Sequence, residues 1–445
     1  MTSEIALMNR QAIALAADSA ITVTYWRDGE RKERYFKGAN KIFNLSAVEP
    51  VALMINDTAD LQGVPWEIIA KAFRESIGSV RLDKLADYSK AFFKFLEESL
   101  EIYPIEHRAE QFLSDAQISA SFLFYLVDRE EKIKKEDDAV QRKSMADAKW
   151  AAVKGRVERA AFIDGASQAD IEAALLGHRA AVEELLKQDG TIAQYFDVIP
   201  VAEVATLAVT ALYKKGLSIL ATSGIVIAGF GAKEFFPKIE SHKHHGMILG
   251  RTLCECEQTK EISQKNASEV LPFAQSDMAR TFLNGISNSV LREIETSAEN
   301  ALRKFEKDLK DANLVSQEVD LSVQQQAAKD SLGDEIIDNL ISSHTSPMKR
   351  VVGLLPIDEL AELAEILIRI ESLKERVTRE SEQVGGPIDV AVLSKGDGFI
   401  WIKRKHYFDP DLNPRYFSRR GVQHGQQTEN PGGKVRSRKS KAGAD

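Results

Sequence analysis

Residues 2–20 read TSEIALMNRQAIALAADSA, and the order of apolar and polar residues in that stretch decides the fold. Ile5 and Leu7 alternate with other residues, Asn9-Arg10-Gln11 makes a polar break, and a second apolar run from Ala12 to Ala17 stops at Asp18. That pattern predicts strand, turn, strand. Thr2 follows Met1, and an initiator methionine is normally trimmed before a small residue. The mature chain would then begin with a threonine that carries a hydroxyl and a free α-amine together.

Outward from this hairpin, residues 2 to 56 read as paired strands. The runs IALAADSAITVTYW and KIFNLSAVEPVALMI are rich in β-branched and apolar residues, with turn chemistry at Arg27-Asp28-Gly29 and at Glu49-Pro50. A helix is predicted to start near Pro65 in VPWEIIAKAF, because proline suits a first helical turn.

From about 80 to 214 the composition is helical. DREEKIKKEDDAVQRKSMADAKWAAVKGRVERAA is charged enough to predict a solvated helix or helical hairpin. Ser167 with Asp170 three residues on makes a capping-box start for the helix after it. LSILATSGIVIAGFG signals a strand, and a further helical region is predicted over about 265–345. Leu360, Leu363, Leu367 and Ile370 recur at helical spacing, and VGGPIDVAVLSKGDGFIWIKRK reads as strand, Gly-Asp-Gly turn, strand. No internal repeat is visible.

Strands at the beginning, middle and end, with helices between, predict an α+β fold. One sandwich of strands assembled from distant segments and covered by helices accounts for them better than separate domains. The expected divisions are a first core part over 1–79, a largely inserted helical region over 80–214, and core strands and helix over 215–290. A helical insertion over 291–349, a core helix with the final strands over 350–408, and a basic disordered tail over 409–445 complete the chain.

Hydrophobic residues at 44% and charged residues at 28% place the 445-residue chain among soluble globular proteins. No run of about 18 apolar residues predicts a membrane span, and Glu4 and Arg10 interrupt the first apolar residues, against a signal peptide. Cys254 and Cys256 are too few for a disulfide framework, which suits a reducing, cytoplasmic compartment. The net charge of −8 conceals a tail that carries Arg415, Arg419, Arg420, Lys434, Arg436, Arg438, Lys439 and Lys441. Nucleic acid is a partner only through that tail, whose composition reads first as a solvated terminus.

The chemistry of an N-terminal threonine is specific. Its hydroxyl needs a base, and a free α-amine with a pKa of about 7.7–8.0 can supply one near neutral pH. A nearby lysine would lower the amine's pKa and favour a developing alkoxide, and a carboxylate would hold that lysine. Backbone amides must receive the oxyanion.

The first 60 or so residues resemble the proteasome β-subunit group and its bacterial relatives among the N-terminal-nucleophile (Ntn) hydrolases. The resemblance lies in Thr2, in Ala16-Ala17-Asp18 with Asp18 sixteen residues after Thr2, and in Lys41-Ile42-Phe43. GIVIAGFGAKEFFPKIES is similar to the family's middle strand pair, and LPIDELAELAEILI with GGPIDVAVLSKGDGF to its late helix and final strands. The resemblance implies a four-layer αββα sandwich of antiparallel sheets with helical insertions. It implies catalysis by Thr2, Asp18 and Lys41, a peptide or protein substrate, self-assembly into a homo-oligomer and an unfoldase or other protein partner. No metal or organic cofactor enters that chemistry.

The sequence departs from the family's pattern in three places. Ser381 falls where an acid is expected and Val384 where a serine is; the oxyanion-hole glycine is replaced within Asn56-Asp57-Thr58, leaving the Asp57 amide as the donor; and SEVLPFAQSDMARTFLNGI stands in place of a glycine-serine turn, with Gln275 or Ser276 as substitute polar contacts.

His242, His244 and His245 with Cys254 and Cys256 lack the ligand spacing of structural zinc sites, and the histidines read as decorating a polar strand end. The sequence therefore predicts a proteasome-like threonine hydrolase of amide or peptide bonds. Its alternative is a catalytically silent relative serving in assembly or protein interaction.

Overall fold

The computed structural model describes residues 3–27, 30–128, 139–378, 385–409, 411–415 and 418. The chain divides into two units, Met1–Arg404 and Lys405–Asp445. In the second, the His406 and Phe408 rings lie 5.2 Å apart and the Ser418 hydroxyl donates to the Pro414 carbonyl at 3.0 Å. The basic residues from Arg419 onward lie outside the described residues.

The first unit mixes α-helices with antiparallel sheets. Strands β1 (Ser3–Asn9) and β2 (Ala12–Ala17) form the predicted hairpin. They sit in a five-stranded sheet of order β12-β1-β2-β13-β14, with β12 Ser268–Ala274, β13 Asp389–Ser394 and β14 Gly398–Lys403. A second sheet runs β11-β10-β9-β6-β5. Its strands are β5 (Ile42–Asn44), β6 (Val51–Asp57), β9 (Ser223–Gly229), β10 (Lys238–Ile248) and β11 (Arg251–Glu261). Two short hairpins complete the strands: β3 (Ala20–Arg27) pairs with β4 (Glu30–Lys37), and β7 (Asp60–Leu61) with β8 (Val64–Pro65). Asp28 and Gly29 of the first predicted turn lie outside the described residues, between the paired Arg27 and Glu30.

Side-chain parity stacks the sheets. Ala6 and Met8 of β1 and Ile13 and Leu15 of β2 pack against Ala52, Met54, Val226 and Ala228 of the second sheet. Ile5 and Leu7, with Ala12, Ala14 and Ala16, point the other way, onto helix α12 (Ile357–Thr378) through Leu360, Ala364 and Leu367. Both faces of the hairpin are buried, so it reads as near-continuous apolar sequence, and the alanines of β2 let the helix approach. The outer face of the second sheet is covered by α1 (Trp66–Ile77) and α2 (Leu85–Glu98), through Trp66, Phe73, Phe92 and Leu96 against Leu53, Ile225 and Ile227. The order is thus helix, sheet, sheet, helix.

The other helical stretch makes its own core. Helices α3 (Ile105–Asp128), α4 (Ala139–Arg159), α5 (Gln168–Gln188), α6 (Gly190–Ala193) and α7 (Val201–Leu212) gather around Phe124, Trp150, Val182 and Leu212. Residues 129–138 of the charged segment lie outside the described residues. The predicted capping box is present: the Ser167 amide donates to the Asp170 carboxylate at 2.7 Å. Helices α8 (Asp277–Asn284), α9 (Asn288–Asp311), α10 (Ser322–Leu340) and α11 (Ser346–Val352) follow, with a π-helical turn at Ile341–Thr345.

Two expectations need correction. The span 265–345 is not helical throughout, because Ser268–Ala274 is strand β12, paired with β1 from Asn9↔Ser268 to Ser3↔Ala274. It is an edge strand, where Pro272 forfeits no needed amide. The histidines do not decorate a polar end. His244 is fully buried, edge-on to Trp66 at 5.7 Å and stacked on Phe93 at 6.4 Å. Among the described residues no helix is long and apolar enough to cross a membrane.

Candidate active site

Where β1 begins and β2 ends, the chain gathers buried charge. β2 stops at Ala17, and the Asp18 amide donates to the Ser3 carbonyl at 3.1 Å. The Asp18 carboxylate accepts in return from the Ser3 amide at 3.1 Å and from the Gly385 amide at 2.8 Å. Gly385 and Gly386 carry φ of 146° and 85°, conformations that favour glycine, and so let the backbone before β13 turn against Asp18. The Ser19 hydroxyl donates to the Pro387 carbonyl, fastening the same turn.

Lys41, immediately before β5, reaches across from the second sheet. Its Nζ lies 2.5 Å from Asp18 Oδ1 and 3.1 Å from Glu4 Oε1. All three side chains are buried: Glu4 and Asp18 are 1% exposed and Lys41 is 5%. Three segments distant in sequence therefore meet at one ammonium group. Asp18 fixes its direction with a charge-assisted hydrogen bond, and Glu4 adds a second negative charge at ion-pair distance.

Sequence reasoning singled out Asp18 and Lys41, and the structure brings them into contact. It did not single out Glu4. The available signal was parity, since Glu4 falls on the same face of β1 as Ala6 and Met8, the face that packs between the sheets. Thr2, Ser381 and Val384 lie outside the described residues.

Asp57 closes β6 with φ of 66°, a left-handed conformation uncommon for a residue with a Cβ. Surrounding protein raises its carboxyl above the ordinary carboxylate range, and the Lys243 cation opposes that shift. Next to it, Gly224 of β9 leaves room for Asn56, whose Oδ1 a Cβ there would overlap. Between Lys41 and Asp57 lies a small pocket walled by Ile21, Ala39, Ile55, Ala59 and Trp66 with Asn40 and Thr58. The Trp66 indole donates to Ser223 Oγ at 3.2 Å, which fixes that wall.

Gln275 and Ser276 follow the Ser3↔Ala274 pair at the end of β12. Ser276 is buried and its hydroxyl accepts from Arg280 Nε at 3.0 Å, within its own helix. Across β10–β11, His242 stands opposite Cys256 and His244 opposite Cys254. Among the described residues no group of histidine, cysteine or acidic side chains gathers to hold a metal ion.

Compared with protein-family models and with curated proteins, the chain matches none.

Proposed function

We propose that the chain is an N-terminal-nucleophile hydrolase of the proteasome-like kind, a cytoplasmic enzyme that cleaves peptide or other amide bonds with Thr2 after loss of Met1. The observation that carries this reading is the convergence of Lys41 on Asp18 and Glu4 beside the first residue of β1. The helix–sheet–sheet–helix order, with the β1–β2 hairpin inside one sheet, supports an Ntn αββα sandwich.

Charge supports it as well. Glu4, Asp18 and Lys41 together carry a formal charge of −1 in a buried place, where an unbalanced charge is costly. Thr2 is one peptide bond from Ser3, so a free ammonium on it would balance that charge. Lys41 is the cation set against that ammonium, and its repulsion offsets part of the hold that the two carboxylates have on the proton.

In the reaction, Thr2 Oγ bonds to the scissile carbonyl carbon while its proton passes to the α-amine. The carbonyl oxygen takes the negative charge and faces the Asp57 amide. Collapse breaks the C–N bond, and the amine's proton goes to the departing nitrogen. A water then attacks the threonyl ester, giving its proton to the α-amine, which returns it to Oγ as the acid leaves.

A test is hydrolysis of a peptide mixture. Thr2→Ser should retain cleavage, while Thr2→Ala should abolish it with the fold intact. Equal turnover by Thr2→Ala and wild type would sink the proposal. One observation favours the silent alternative: α9 and α10 have no buried residue, as suits a partner-binding arm. Retention of Met1 would be its mark.

A further inference from the structure

Helix α9 lies against α10, and its hydrogen bonds fix which side faces that neighbour. Lys329 Nζ donates to Glu299 at 3.0 Å, and Gln325 Nε2 donates to Glu306 at 2.6 Å. At about 100° per residue, Ile294, Ala301 and Phe305 fall within about 40° of one another, more than about 90° round the helix from Glu299 and Glu306, with Val290 and the exposed Asp308 together at the edge of that face. Val290 is 45% exposed, Ile294 38% and Phe305 62%. An apolar stripe about 16 Å long, from Ile294 to Phe305, thus faces away from α10.

We infer that a second copy of this chain covers this stripe, with the two α9 helices packed antiparallel about a twofold axis. The stripe is self-complementary. Ile294 and Phe305 lie equally far from the point between Glu299 and Asn300, and so do Ala298 and Ala301. A twofold axis at that point sets Ile294 against Phe305 of the second copy, at both ends of the contact. The alanines between them let the helices approach closely. An isologous contact requires a patch that matches itself in this way.

The charges obey the same symmetry. Glu293 and Lys304 are both exposed and stand on the same flank of the stripe, on opposite sides of its midpoint. Antiparallel pairing brings each Glu293 to Lys304 of the other copy. Within one helix these residues are eleven positions apart, about 16 Å, too far to touch.

The test is the mass of the full-length protein in solution across a concentration series, by light scattering after size exclusion or by sedimentation. The expected result is self-association through α9. Ile294→Glu and Phe305→Glu should each raise the dissociation constant at least about 100-fold, with helix content unchanged. Val323→Glu, at an exposed position of α10, should leave it unchanged. Glu293→Lys and Lys304→Glu should each weaken association, and the double variant should restore it. A monomer at every concentration overturns the inference. So does an assembly whose mass ignores both stripe variants, or a charge swap without restoration.

Discussion

Lys41 Nζ sits 2.5 Å from Asp18 Oδ1, an ion pair between the two sheets that also includes Glu4 at 3.1 Å. Removing the lysine would leave two buried carboxylates facing each other. Lys41→Met should therefore cost about 3–5 kcal/mol, as one-sided loss of a buried ion pair does. Asp18→Asn leaves Lys41 with Glu4 but turns its NH2 toward one of the amides of Ser3 and Gly385, so it should destabilise by less than the lysine loss. Urea denaturation at neutral pH measures both, and the reverse ranking would contradict this view of the cluster.

Asp57 holds a left-handed conformation with a Cβ in place. Asp57→Gly removes the strain while keeping the amide, and should hold or raise stability by up to about 1 kcal/mol. Under the proposed mechanism it should also leave peptide hydrolysis within a few-fold of wild type. Asp57→Pro removes the N–H and cannot adopt this φ, so it should abolish turnover. Steady-state rates of the two variants check the role of the amide.

How much of this was legible in the sequence differs by element. The β1–β2 hairpin was, because its apolar runs are interrupted only at Asn9-Arg10-Gln11. The Asp18–Lys41 relation was legible through family resemblance. Glu4 was not, since one acid in an apolar strand reads as a solvated residue until the second sheet is known to cover its face. Strand β12 was missed because Pro272 breaks its short apolar run and argues against a strand; an edge position beside β1 tolerates it. His244 was misplaced for a similar reason, since α1 and α2 supply the Trp66 and Phe93 rings that bury it.

His244 gives the fold an acid-sensitive point. Burial, with the nearby His245 and His242 charges, lowers its pKa to about 3, while the unfolded chain protonates near the ordinary 6.5. The unfolded state thus binds more protons between those values, and stability falls as pH drops through that window. The expected loss is about 2 kcal/mol from pH 6.5 to 5. His244→Asn can keep an acceptor for the Gly246 amide, which donates to Nδ1 at 3.2 Å. That variant should be less stable at neutral pH yet show a flatter acid limb. An unchanged slope would remove His244 from the account.

Asp115 works in the opposite sense within the helical core. Burial, opposed by its hydrogen bond from Gln111, pushes its carboxyl up to about 6. The folded state holds the proton more tightly than the unfolded state, so stability is lost as pH rises from about 4 through 6. Asp115→Asn should gain about 1–3 kcal/mol at pH 7.5 and little at pH 4. Paired denaturation curves at the two pH values decide it.

The most direct measurement is the intact mass of the purified protein before and after exposure to a threonine-directed epoxyketone. The account predicts loss of Met1 and a single adduct that maps to Thr2, absent in Thr2→Ala and strongly slowed in Lys41→Ala. A chain that keeps Met1, or a free Thr2 that takes no adduct while the protein remains folded, would contradict it.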